Sequence, residues 1–300
     1  MIKAFGEILS AAKQKGPKTI AVAVAQDYEV LSAVSSAKNL GIADAILVGD
    51  KEEIEKVAAG HGIDLSKFEI IDIKEKDEAC RKAVEMVSSG KAHLVMKGLV
   101  DTAVILKAVL DEKIGLRTGN VLSHVAVFDV PGYEKLFYVT DAAMNLAPTL
   151  DQKKQIVENA IQVANALGND NPKVGVICAV EKVNPKMQAT VDAAELEKMN
   201  QEGTLKGCVV GGPFALDNAI SVEAAKHKGI NHPVAGHADI LLAPNIESGN
   251  VLYKSMVFFA NAKNAGIIVG AKAPVVLTSR ADSDEAKLNS IAIGVLMASR

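Results

Sequence analysis

The sequence predicts an α/β protein of two three-layer α/β/α domains with mostly parallel sheets. Three observations predict it. Short apolar runs without strict alternation recur, as in strands buried on both faces. Each is followed by residues of helical periodicity, giving a β-α-β-α rhythm. The rhythm breaks once, near residue 121, and resumes after Pro148.

The first strand covers 18–24, and the helix from Asp27 carries Val30, Leu31, Val34 and Ala37 on one face. Strands at 44–48, 69–73 and 93–96 alternate with helices at 51–60, 77–89 and 101–111. Segments 123–129 and 135–139, joined by Val130-Pro131-Gly132-Tyr133, read as a hairpin, so part of the sheet is antiparallel. A second series has strands near 173–178, 207–210, 238–242, 266–270 and 274–278. Its helices lie near 150–167, 186–200, 216–227 and 248–263. The last helix, 284–299, carries Leu288, Ile291, Ala292, Val295 and Leu296 at helical spacing. The boundary between the two series falls near 140–150. No Gly/Ser- or Pro-rich linker marks it, so the domains are expected to pack closely.

Composition narrows the class. The 300 residues are 49% apolar and 23% charged, an ordinary globular balance. The net charge of -3 is interleaved, as in Lys74-Glu75-Lys76-Asp77, and no basic block suggests a nucleic-acid partner. Cys80, Cys178 and Cys208 are far apart and odd in number, which suits buried thiols in a reducing compartment. The N-terminal residues read as an amphipathic helix rather than a signal peptide, and no apolar run would span a bilayer. A cytoplasmic protein without a membrane partner is expected.

Several chemistries are excluded by missing motifs. There is no G-x-x-x-x-G-K-[ST], no G-x-G-x-x-G after the first strand, and no G-x-S-x-G. His232 and His237 sit five apart in a loop without a third ligand at finger spacing, so no metal site is expected.

Four segments at strand ends carry the candidate chemistry, since open α/β sheets bind ligands there. In Met96-Lys97-Gly98-Leu99-Val100-Asp101-Thr102, Lys97 can meet an anion and Thr102 or Asp101 can cap a helix; a solvated lysine beside a capped helix is the alternative. Gly211-Gly212-Pro213 followed by Asp217-Asn218-Ala219 reads as a phosphate-cradling loop or a plain strand-to-helix turn. Asn245, Ser248 and Asn250 supply small polar groups that suit either a ligand or a helix cap. The sharpest segment is Thr278-Ser279-Arg280-Ala281-Asp282-Ser283-Asp284-Glu285. A cation before a helix N-terminus opposes the macrodipole unless an anion sits between them, so Arg280 reads as an anion partner; a surface ion pair is the alternative. The spacing of Asp282 and Glu285 resembles a capping box.

In this order, the segments resemble the phosphate acetyl/butyryl transferase family over nearly the whole chain. The specific parts are Gly212-Pro213 with Asp217-Asn218-Ala219, Val234 through Asp239, Pro244 through Asn250, Ser279-Arg280, and Thr140-Asp141-Ala142-Ala143-Met144-Asn145 with Pro148-Thr149. The chain looks closer to the butyryl branch, because the acetyl branch usually carries a cysteine where Ala142 stands.

The resemblance implies an acyltransferase: acyl-CoA and phosphate give acyl phosphate and free CoA, reversibly. It also implies an isocitrate dehydrogenase-like arrangement with an interdomain cleft, and a first domain that takes back the C-terminal helix. The domains expected are 1–142 plus 279–300, and 143–278. Coenzyme A and phosphate would be substrates, with no cofactor or metal, and the chain would form a homo-oligomer. Arg280 would stabilise developing charge and Ser279 would bind the reacting group. Lys107 falls where the acetyl branch carries a substrate-binding arginine, and Arg117 matches a second. Lys97, Thr102, Asn145, Asn245, Ser248 and Asn250 are the other substrate-binding candidates. The acetyl branch has an aspartate base seven residues after its serine; here that position is Ala286, which leaves Asp282, Asp284 or Glu285 as replacements. A metal-dependent decarboxylating dehydrogenase of the same fold is the rival reading, and it would need an aspartate cluster that the sequence lacks.

Overall fold

A computed structural model describes residues 1–279 and 281–299; Arg280 and Arg300 lie outside the described residues. The chain begins α1 (Phe5–Gln14), β1 (Lys18–Ala23), α2 (Tyr28–Asn39), β2 (Ala43–Gly49), α3 (Lys51–His61), β3 (Glu69–Asp72), α4 (Lys76–Ser88), β4 (Leu94–Lys97) and α5 (Thr102–Val109). It continues β5 (Ser123–Asp129), β6 (Phe137–Thr140), α6 (Leu150–Ala166), β7 (Lys173–Ile177), α7 (Gln188–Gln201), β8 (Val209–Phe214), α8 (Leu216–Ile220), α9 (Val222–His227), β9 (Ile240–Leu242) and α10 (Ile246–Phe258). It ends with β10 (Lys263–Val269), β11 (Val275–Val276) and α11 (Asp284–Met297).

Two compact units result. The first unit is Phe5–Asn120 with Ala265–Arg300; the second is Met1–Ala4 with Val121–Asn264. The boundaries expected at 142/143 and 278/279 lie inside these units. Strand pairing is the reason. β6, expected with the first domain, runs parallel to β9, with Tyr138 opposite Ile240 and Thr140 opposite Leu242. β11, expected with the second domain, runs parallel to β4, and β10 pairs antiparallel with it. The periodicity reads each strand locally, whereas domain membership follows the neighbour whose backbone it bonds.

In the first unit the strand order is β3-β2-β1-β4-β11-β10. β1 is central, parallel to β2 and β4, and buried from Ile20 to Ala23, which explains its unbroken apolar run. Asp27 caps α2 through the Val30 N–H at 3.0 Å, and Asp50 caps α3. α11 packs against α1, α2 and the sheet, and is buried on nearly every side. A side chain at Gly294 would meet the Leu94 side chain 2.7 Å away, so glycine suits the close passage of α11 over β4.

In the second unit the order is β5-β6-β9-β7-β8, with β5 and β6 forming the expected hairpin. Two expectations change. Gly211-Gly212-Pro213 is part of β8 rather than a loop after it. A Cβ on Gly211 would strike the His232 ring, and one on Gly212 would sit 2.9 Å from Val176, so these glycines serve close packing. The helix expected over 216–227 is two helices, because Ser221 leaves helical geometry and caps α9 through the Ala224 N–H.

Candidate active site

In the second unit the site begins where β6 and β9 end side by side. The chain after β6 folds back on the Asp141 carboxylate, which is 3% exposed. Its Oδ1 accepts from the Ala143 N–H at 2.8 Å and the Met144 N–H at 3.0 Å, and its Oδ2 accepts from the Asn145 amide at 2.6 Å. Asn145 also donates to the Leu122 carbonyl at 2.9 Å. Asn145 therefore belongs to a rigid loop and braces it.

The loop after β9 lies against this one. The Ile246 N–H donates to the Leu146 carbonyl at 3.0 Å, and the Asn250 amide donates to the Ala142 carbonyl at 3.2 Å. A side chain at Gly249 would collide with the Asp141 carbonyl oxygen, so the approach requires glycine. Asn245 is the N-cap of α10, accepting from the Ser248 N–H at 3.0 Å. The helix starts at Ile246, earlier than the expected 248, and places Ser248 and Asn250 on its opening turns. Ser248 is exposed, whereas Asn250 is committed to the neighbouring loop. The structure thus gathers Asn145, Asn245, Ser248 and Asn250 at one edge of one sheet.

In the first unit the corresponding edge lies at β1 and β4, where the strand order turns. Val24 holds a left-handed backbone, φ 58°, that aims its carbonyl at the Leu99 N–H, 2.8 Å away. Gly98 lies so close to Val24 that a Cβ would strike its carbonyl oxygen. Lys97 is 5% exposed and donates to the carbonyls of Gly98 at 3.2 Å and Val100 at 3.0 Å. Its ammonium organises the turn from within. Thr102 opens α5 and Asp101 is the N-cap, with no side-chain cap bond. Lys107 is exposed and lines a pocket of about 200 Å³ with Asp77, Arg81, Val104 and Ala108. Arg117 is half-exposed and pairs with Glu112 at 3.5 Å, away from that pocket's lining.

The turn after β11 completes the first unit's set. Ser279 is exposed, and its backbone N–H donates to Asp282 Oδ2 at 2.6 Å. Asp282 is buried and braces the turn; the cap of α11 is Ser283, which accepts from the Ala286 N–H at 3.2 Å. The capping box expected from Asp282 and Glu285 is replaced by this serine cap. Lys287 is 3% exposed and donates to the Asp282 carbonyl at 2.6 Å and the Ser279 carbonyl at 3.4 Å. Asp284 accepts from the Ser32 hydroxyl at 2.8 Å, and Glu285 is exposed. Ala286 is buried. Arg280, the residue on which the sequence reading rested most, lies outside the described residues. Lys287 and Asp141 were missed as organising groups. Asp141 had a signal, an acidic residue ending an apolar strand; Lys287 had none beyond its position four residues after a capping serine.

Burial works against the thiols as nucleophiles. Burial pushes Cys80 up to about 12 and Cys178 and Cys208 up to about 11, so all three stay protonated near neutrality. Among the described residues, no three His, Cys, Asp or Glu side chains come together as a metal-binding group, and no helix is long and apolar enough to cross a membrane.

Known proteins give this geometry a context. The family model described as Phosphate acetyl/butaryl transferase matches residues 4–81 and 75–295. The phosphate butyryltransferase of Clostridium acetobutylicum is 56% identical over 298 residues, 99% of each chain. The phosphate acetyltransferase of Thermotoga maritima is 47% identical over 292 residues, 97% of this chain and 99% of that one. A branched-chain phosphotransacylase from Enterococcus faecalis superposes with a TM-score of 0.84 at 36% identity, covering 94% of this chain and 99% of its own. The chain therefore belongs to the phosphate acetyl/butyryl transferase family.

Proposed function

We infer that this chain is an acyltransferase that exchanges a butyryl group reversibly between coenzyme A and inorganic phosphate. The observation that carries this is the 56% identity, end to end, with a phosphate butyryltransferase. In the direction of acyl-CoA, the CoA sulfur attacks the acyl carbonyl carbon. The carbon–oxygen bond to phosphate breaks, phosphate leaves, and the thiol proton passes to a base. No atom changes oxidation state, so the exchange needs no redox cofactor; CoA and phosphate are its substrates, and the reading takes it to run without a metal.

Direct attack within a ternary complex is supported by the buried, protonated cysteines, which offer no acyl acceptor. Arg280 stabilises the carbonyl oxygen as it gains charge, and Ser279 bonds the reacting group. Asp282 acts as a brace, given its bond to the Ser279 N–H. Asp284 is half-committed to Ser32, and it shares with Glu285 the candidacy for proton acceptor. Lys107 and Arg117 serve as cationic contacts for the anionic substrates, with Lys97 and Thr102 shaping the turn between them. Asn145, Asn245, Ser248 and Asn250 are the second unit's candidates for polar contacts with substrate.

A homo-oligomer in the cytoplasm goes with this reading. α10 buries only Gly249, while Phe258 is 65% and Phe259 89% exposed, a face suited to a second copy. A reducing compartment suits the three free cysteines.

The test incubates the protein with butyryl-CoA, with and without phosphate, and follows free thiol. CoA release that depends on phosphate supports the reading, and its absence refutes it. Retention of turnover after exhaustive EDTA treatment tests the metal-free mechanism.

A further inference from the structure

One side chain fastens both ends of the turn from Ser279 to Asp282. The Asp282 N–H donates to the Ser279 carbonyl at 3.2 Å, which closes a four-residue turn that includes Arg280 by sequence. The Lys287 ammonium donates to that same Ser279 carbonyl at 3.4 Å and to the Asp282 carbonyl at 2.6 Å. All of these groups belong to the first unit. Folding gives little reason for a lysine there. Lys287 is 3% exposed, and burying an ammonium carries a large desolvation cost. It is also the fourth residue of α11, where a cation opposes the helix macrodipole. Farther along α11, the buried residues from Ser290 to Leu296 carry no charge at all.

We propose that Lys287 is a positioning residue for acyl transfer, acting through the 279–282 turn by fixing the backbone that carries Ser279 and Arg280. This rests on the acyl-transfer reading above, and on the role that reading gives Arg280. Lys287 is buried and bonded to backbone carbonyls, so its contribution is geometric rather than a contact with substrate. Such geometry matters to rate, because a catalytic group misplaced by about 1 Å can lose about 100-fold. A side chain that packs beneath a turn without bonding both of its ends would leave the turn free to pivot.

The experiment measures turnover of butyryl-CoA with phosphate for the unaltered chain, Lys287→Met, Lys287→Arg, Arg280→Ala and the double variant of Lys287→Met with Arg280→Ala. Circular dichroism sets the folded fraction of each. Methionine fills the buried space without donors, whereas arginine keeps the charge and the donors. Lys287→Met should lower kcat by about 10- to 100-fold and leave KM for butyryl-CoA within about threefold, as loss of transition-state geometry does. Lys287→Arg should keep more activity than Lys287→Met. In the Arg280→Ala background, Lys287→Met should change kcat by less than about threefold, because a residue that acts through the turn has little left to position. A kcat for Lys287→Met within about twofold of the unaltered chain, or equal losses in both backgrounds, would overturn the proposal and leave Lys287 a role in folding alone. If Lys287→Met does not fold, Lys287→Gln, which is shorter and uncharged, carries the same cycle with the same two outcomes. If the unaltered chain itself releases no CoA with phosphate, the acyl-transfer reading fails, a result distinct from all of these.

Discussion

The backbone N–H of Ser279 donates to the carboxylate of Asp282, 2.6 Å away and buried. The bond closes the turn from below and leaves the Ser279 side chain exposed. The Lys287 ammonium then ties the Ser279 and Asp282 carbonyls to α11. The turn is thereby held from the protein side, and its outer face remains available to a ligand.

This bond sets the first prediction. Asp282→Ala should cost about 1.5–3 kcal/mol, since a charge-assisted hydrogen bond is lost. Urea unfolding measures it. Turnover should fall as well, and its pH profile should keep its shape, because a brace does not move a proton. A profile that loses its lower limb would make Asp282 the base instead.

Arg280→Ala should lower kcat by about 100-fold or more, as removal of an oxyanion-type contact does. Steady-state kinetics at saturating phosphate checks this. Near-normal turnover would remove Arg280 from the mechanism.

The cysteines give a pH dependence with a definite sign. Their ordinary value is 9.0, and burial raises Cys80 to about 12 and the other two to about 11. Above pH 9 the unfolded chain releases thiol protons that the folded chain keeps. Stability is therefore full below pH 9 and falls as pH rises toward 11. Urea midpoints across this range should decline, and Cys80→Ala should flatten the decline. Native protein at pH 8 should resist alkylation at all three thiols, which modify only after unfolding.

Val251 and Phe258 stand seven residues apart on α10 and share a face, with Phe259 beside them. Phe258→Ser with Phe259→Ser should lower the molar mass seen by light scattering at micromolar concentration. Each removes exposed apolar surface, so the folded subunit should lose little stability of its own. An unchanged mass would place any subunit contact elsewhere.

Much of this was legible in the chain. Strands buried on both faces announce themselves as apolar runs, and β1, β2 and β4 fell where they were expected. Asp27, where a helix was expected to begin, caps α2, and the structure adds Asp50 and Thr149 as caps of α3 and α6. The four candidate segments all lie at strand ends except Gly211-Gly212-Pro213, which misled because glycine serves a close-packed strand as readily as a turn.

By itself, the sequence determined the α/β class, the element order and the polar segments that flank the strands. Those are local properties, set by periodicity, capping chemistry and motif spacing. The tertiary structure alone decided that β6 joins β9 and β11 joins β4, which moved both domain boundaries. It also bonds Lys97, Asp141, Asp282 and Lys287 to backbone groups of the turns at the strand ends. A charged side chain has the same letter whether it meets a ligand or a buried carbonyl, and only the backbone that folds around it separates the two.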